Sequence, residues 1–172
     1  YGDHRYIHSY PTRRSSDLVL GQLSGIIHAT FRYARREAAG VQGPGQTLAL
    51  GSGTCRDFAL LFIEAARSLG FAARFVTGYL HDEAATSGSG EDMTGGGATH
   101  AWADVFVPGA GWVEFDPTNR IIASRNLIRV ASTRTTAQAM PVSGSFARGG
   151  GHLSAMAVSV VVRADTADAT RA

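Results

Sequence analysis

The sequence predicts one α+β domain in which a helix-borne cysteine packs against an antiparallel sheet. Three observations carry this. Two stretches with apolar residues at helical spacing, 19–39 and 54–69, come early; strand-like runs at 72–80, 99–107 and 112–115 follow; and Pro108-Gly109-Ala110-Gly111 joins the last two as a hairpin. A chain of 172 residues with 44% hydrophobic composition supports a single core, while 21 Gly imply generous loops.

Residues 19–39 place Leu23, Ile26, Ile27, Phe31 and Ala34 on one face and Arg32, Arg35, Arg36 and Glu37 elsewhere, the pattern of an amphipathic helix. Gly40 to Gly53 holds five Gly and a Pro, too many turn formers for a regular element, and reads as a connecting loop. A second, central helix starts at Thr54. Thr54 or Ser52 caps it, Asp57 suits its first turn, Phe58, Leu61, Phe62, Ala65 and Leu69 repeat at helical spacing, and Gly70 stops it. Ala72 to Leu80 reads as a strand, His81 to Ala98 as a long Gly- and Ser-rich excursion, and Thr99–Val107 with Trp112–Phe115 as the hairpin. Asn119 to Thr136 shows no clear pattern, and the apolar β-branched run from Leu153 to Val162 reads as a last strand. Pro11 to Leu18 resembles one reading frame of a sequencing adapter. Residues 1–18 are therefore set apart as a non-native segment, 19–163 as the domain and 164–172 as a tail.

All 16 basic residues are Arg, a bias expected of a GC-rich coding sequence, and 14 acidic residues leave a net charge of only +2. Arg so scattered does not build the dense basic face that nucleic-acid binding needs, so no nucleic-acid partner is expected. No apolar run reaches bilayer length and no leader precedes the domain; no membrane partner and a cytoplasmic location are the expectations. One cysteine rules out an internal disulfide framework, and with dispersed histidines a zinc site has no support. Asp82, Glu83, Glu91 and Asp92 fit no defined calcium loop. No cofactor and no metal are expected.

A thiol attacks a carbonyl well only as thiolate, so a reactive cysteine needs a helix N-terminus, an imidazolium, or both beside it. Cys55 has the first by position. Gly51-Ser52-Gly53 before it lets backbone approach a substrate, and the free N–H groups of the first turn suit a developing oxyanion. Of six histidines, His4 and His8 lie in the set-apart segment, His28 on the first helix, His81 at a strand end and His152 in a Gly-rich loop. His100 opens a strand after the long excursion. Asp116 closes the paired strand, where a hairpin brings its carboxylate to the far imidazole nitrogen.

Four blocks, Gly53-Thr54-Cys55-Arg56-Asp57-Phe58-Ala59, Leu69 to Leu80 (LGFAARFVTGYL), His100-Ala101-Trp102-Ala103-Asp104-Val105 and Gly111 to Asn119 (GWVEFDPTN), resemble the bacterial transglutaminase-like family in order and spacing over residues 20–163. The resemblance implies that family's papain-like α+β fold, with Cys55, His100 and Asp116 as nucleophile, base and orienter. It also implies thiol-dependent acyl transfer or hydrolysis at amide bonds of a protein or peptide substrate, hydrolysis ranking ahead of crosslinking. The sequence departs from the family at Leu60, where relatives often carry His, and at Ser132-Thr133-Arg134-Thr135, which replaces a Gly-Arg-Asp-Tyr type stretch.

Taken singly, Cys55 fits a buried structural thiol, His100 a strand-end residue and Asp116 a turn former before Pro117; their joint spacing favours the site. The alternative is a catalytically silent, peptide-binding scaffold of the same fold. Trp102 is expected in the core and Trp112 on a cleft wall, either indole N–H being a possible oxyanion donor. Arg56 and Asp57 read equally as partners of groups near the thiol or as a solvated pair.

Overall fold

A computed structural model describes residues 13–36, 40–81, 94, 99–140 and 160. Its elements run α1 (Arg13–Thr30), β1 (Arg32–Tyr33), α2 (Pro44–Leu50), β2 (Ser52–Gly53), α3 (Cys55–Ser68), β3 (Ala73–Leu80), β4 (Thr99–Val107), β5 (Gly111–Asp116), β6 (Ile121–Ile122) and β7 (Leu127–Thr133), then a 3-10 turn at Thr136–Ala139. Five strands form one antiparallel sheet in the order β6-β5-β4-β3-β7. β1 and β2 make a separate parallel pair. Helix α3 packs on this sheet, which is the expected α+β arrangement.

Side chains alternate across β4. Ala101, Ala103, Val105 and Val107 are buried in the main core with Phe58, Phe62 and Ile63 of α3, Phe75 of β3 and Phe115 of β5. Phe62 and Phe115 stack at 5.3 Å, and burying each contributes roughly 1.5–3 kcal/mol. Trp102, of opposite parity, forms a second cluster with Val76, Leu80 and Leu127. Sheet curl closes over this second face. Arg129 on β7 donates to Glu114 on β5 at 2.7 Å although β3 and β4 lie between them, and it also pairs with the buried Asp104 on β4. Arg74 binds the same Asp104 at 3.0 Å and lies 4.0 Å over the Trp112 ring.

Four readings of the sequence need correction. α1 begins at Arg13, inside the adapter-like segment, and ends at Thr30 rather than Ala39. The chain leaves the helix because the Arg32 and Ala34 N–H groups donate to the Gly51 and Gly53 carbonyls, drawing 32–33 into the β1/β2 pair. Leu20 and Ile27 supply its buried contacts, whereas Ile26 is 59% exposed. The supposed loop 40–53 contains α2, started by Pro44 in its first turn, supported by a Thr47 hydroxyl bond to Gly43 O, and stopped by Gly51 at φ 58°. Asn119 to Thr136, where the sequence shows no clear pattern, holds β6 and β7. On α3, Ala59, Ile63 and Ala66 join Phe58, Leu61 and Phe62 in the core, while Leu69 is exposed. The strand expected at 153–162, apart from Val160, and the excursion 81–98, apart from His81 and Thr94, lie outside the described residues. Among the described residues no helix is long and apolar enough to cross a membrane.

β3 and β7 shift register between Thr77 and Gly78. A Cβ at Gly78 would overlap the Ile128 carbonyl and press on the Trp102 ring. Gly78→Ala is therefore expected to cost about 3 kcal/mol, read as a lower urea midpoint. A change of under about 0.5 kcal/mol would contradict this close approach.

Candidate active site

Thr54, in extended conformation at φ −93° and ψ 173°, caps α3, so Cys55 is its first helical residue. The cap is built on Asp57. The Thr54 N–H and hydroxyl donate to Asp57 Oδ2 at 2.8 and 2.9 Å, the Gln42 N–H to Oδ1 at 2.7 Å, and Arg36 to both oxygens at 2.9 and 3.1 Å. Burial pushes the Asp57 pKa up, but Arg36, Thr54 and Gln42 outweigh it and hold the carboxyl below the usual range. Asp57 is thus a buried partner of Arg36, and Arg56 beside it stays exposed. Gly53 has no room for a side chain, since a Cβ would lie 2.9 Å from Asp57 Cβ. Tyr33, paired with Gly53 across the parallel ladder, has its pKa pushed up by burial and by the negative charge that Cys55 carries when ionised.

β4 and β5 bring the other two residues together. Ala103 faces Phe115, so Asp116 lies opposite position 102, on the same side as His100 and diagonal to it. His100 Nε2 donates to Asp116 Oδ2 at 2.8 Å, both side chains being fully buried. The other Asp116 oxygen accepts the Thr118 and Asn119 N–H groups at 2.9 and 3.4 Å. Asn119 Nδ2 donates to Oδ2 at 2.9 Å. With Nε2 committed, Nδ1 is the nitrogen left for Cys55, and it has no conventional hydrogen-bond partner. Burial opposes a charged imidazole, yet Asp116 and then Cys55 prevail and raise the His100 pKa to about 10. Cys55 itself is 7% exposed. The three residues expected from the sequence are therefore brought to one place, with the histidine oriented by the aspartate and the thiol at a helix N-terminus.

The family model of the transglutaminase-like superfamily matches residues 21–117. The chain belongs to the transglutaminase-like superfamily. Uncharacterized proteins of Mycobacterium tuberculosis and Mycobacterium bovis are 35% identical over 141 residues, covering 79% of this chain and 44% of their own length. The chain thus spans less than half the length of these curated relatives. Among solved structures, a candidate cysteine protease from Cytophaga hutchinsonii superposes with a TM-score of 0.53 at 24% identity, over 76% of this chain and 47% of that one. Calcium-bound LapG of Legionella pneumophila gives 0.50 at 17% identity, over 68% and 64%. At these identities the two structures speak for the fold alone, a papain-like α+β fold.

Sequence reasoning missed the supporting residues of this transglutaminase-like site. Arg36 and Gln42 hold Asp57, Asn119 holds Asp116, and the His28 Nδ1–H donates to the Thr118 carbonyl at 2.9 Å, bracing the turn after Asp116. Only the Asn119 position, inside the fourth block, carried any signal. Trp102 is in the core as expected, but its indole N–H is directed to Glu114 at 3.3 Å. Trp112 lines a cavity of about 590 Å³ with Glu114 and Arg129 that contains none of Cys55, His100 and Asp116. The acidic residues 82, 83, 91 and 92 lie outside the described residues.

A histidine whose pKa rises on folding stabilises the fold below its unfolded value, 6.5, and loses that contribution as pH climbs through about 10. Thermal stability is therefore expected to fall between pH 6.5 and 10, and His100→Gln to flatten that part of the profile. Parallel curves for the two proteins would refute the pairing.

Proposed function

We propose that this domain performs thiol-dependent acyl transfer or hydrolysis at amide bonds of a peptide or protein substrate, with Cys55 as nucleophile, His100 as base and acid, and Asp116 as orienter. The observation that carries the reading is the buried 2.8 Å His100–Asp116 bond that leaves Nδ1 unpaired, while Cys55 at the start of α3 is near enough to act on the imidazole. In the reaction the Cys55 thiolate attacks the carbonyl carbon, a C–S bond forms, and the C–N bond breaks as the His100 imidazolium protonates the departing amine. A thioester remains. His100, now neutral, takes a proton from water or from an acceptor amine, which attacks the thioester and releases the thiol. First-turn N–H groups of α3 suit the developing oxyanion. The alternative, a catalytically silent, peptide-binding scaffold of the same fold, requires no thiolate. A cytoplasmic place of action stays an expectation from the sequence alone.

Iodoacetamide alkylation of Cys55 against pH tests this in the wild type and in His100→Ala. An ordinary thiol near pKa 8.5 is about 0.3% thiolate at pH 6, whereas an ion-paired one is largely ionised there. We expect rapid wild-type alkylation at pH 6 and a drop of about a hundredfold in His100→Ala. A wild type that titrates like a free thiol would remove the catalytic reading and favour the scaffold.

A further inference from the structure

The turn that follows Asp116 is built more elaborately than a hairpin connection requires. Asp116 Oδ1 accepts two N–H groups of this turn, His28 braces its Thr118 carbonyl, and Arg120 is held in the left-handed region at φ 55°. Asn119 stands at its centre. One Nδ2 hydrogen goes to Asp116 Oδ2 at 2.9 Å, the same oxygen that accepts His100 Nε2, and the other goes to the Thr94 carbonyl at 3.1 Å. Asn119 Oδ1 accepts the Thr94 N–H at 2.9 Å. Every hydrogen-bonding group of the amide that can reach a partner is used, and the flipped amide would set an oxygen against the Asp116 carboxylate and lose both Thr94 bonds. The side chain thus joins the backbone at Thr94, 25 residues before Asn119 in sequence, to the carboxylate that orients His100.

We propose that Asn119 is a positioning residue, holding Asp116 toward His100 by means of an amide that is itself fixed by a reciprocal clasp on the backbone at Thr94. The proposal rests on the catalytic reading of Cys55, His100 and Asp116. Asn119 touches no reacting atom; it acts through Asp116. Loss of the amide leaves Asp116 Oδ2 with His100 as its one side-chain donor, so that only the backbone N–H bonds to Oδ1 restrain the carboxylate, and the imidazolium that sustains the Cys55 thiolate is less well held. The clasp also makes this orientation depend on where the chain passes at Thr94.

Two variants test the two ends of the link. Asn119→Ala removes the amide, and Thr94→Pro removes the backbone N–H that fixes it while leaving the Asn119–Asp116 pair in place. The readout is the pH profile of Cys55 alkylation, with thermal melting recorded alongside. The midpoint is expected to rise by about one pH unit in Asn119→Ala, a loss of about tenfold in rate at pH 6, and to rise by a smaller amount in Thr94→Pro. A residue that merely supported the turn would lower the melting temperature and leave the midpoint unmoved, which overturns the proposal. If Asn119→Ala shifts the midpoint and Thr94→Pro does not, the clasp is refuted. If Asn119→Ala does not melt cooperatively, Thr94→Pro decides, an unmoved midpoint counting against the proposal. A wild type without low-pH reactivity that depends on His100 refutes the catalytic reading itself, and this one falls with it.

Discussion

Asp57 has no exposed surface, yet five N–H or O–H donors from three separate stretches of chain converge on its two oxygens. Burying a carboxylate costs several kcal/mol unless its lone pairs are satisfied and a counter-charge is near. Here Arg36 supplies the charge, and Gln42 and Thr54 supply backbone donors, so the carboxylate remains ionised. The consequence is geometric. Arg36 follows β1, Gln42 precedes α2 and Thr54 caps α3, so one side chain fixes how these three segments meet. Cys55 is the residue next to that cap, and these bonds to Asp57 fix its position without involving the five-stranded sheet.

The sheet sets the other half of the site by a different means. β4 and β5 are held in register by their ladder, and the alternation of side chains puts His100 and Asp116 on one side while Ala103, Val105 and Phe115 anchor the same strands in the core under α3. A slip of one residue would send the imidazole and the carboxylate to opposite faces. Core packing therefore protects the site's geometry at no separate cost, since the residues that fix the register are not those that carry the chemistry. The small residues Ala101 and Ala103 let α3 approach β4 closely, which is what allows the first turn of that helix to come near His100.

The elements legible in the sequence were those with a strong period. α3, β3 and the β4/β5 hairpin are where the pattern put them, because a long apolar stripe, an alternating run and a Pro-Gly turn each leave few other solutions. The short elements were not legible. α2 and β2 lie among glycines, and their stability comes from Gln42, Thr47 and the β1/β2 pairing, partners that no local pattern announces. The end of α1 was misplaced for the same reason, since its helical spacing continues past Thr30 but the Gly51 and Gly53 carbonyls compete for the backbone beyond it. The three residues of the candidate site could be proposed from the sequence because thiol chemistry constrains their types and because four blocks occur in order. Their supports were not found, since an Arg, a Gln and an Asn have no necessary spacing from the groups they hold.

The two carboxylates of this region illustrate why the supports matter as much as the triad. Asp57 is surrounded by donors that cannot be titrated away near neutrality, and so it is a permanent charge with a structural task. Asp116 is different: its ring partner is a histidine, which can itself gain or lose a proton. Moving a proton from Cys55 to His100 in a buried setting separates charge where water cannot stabilise it, and the cost falls only if a negative group already stands on the far side of the ring. Asp116 fills that place, but as an ionised carboxylate it would itself be costly without donors of its own. Thr118 and Asn119 supply them from the turn that follows. In the proposed reaction, an imidazolium at His100 therefore depends on Asp116 and, through it, on the donors of the turn that follows.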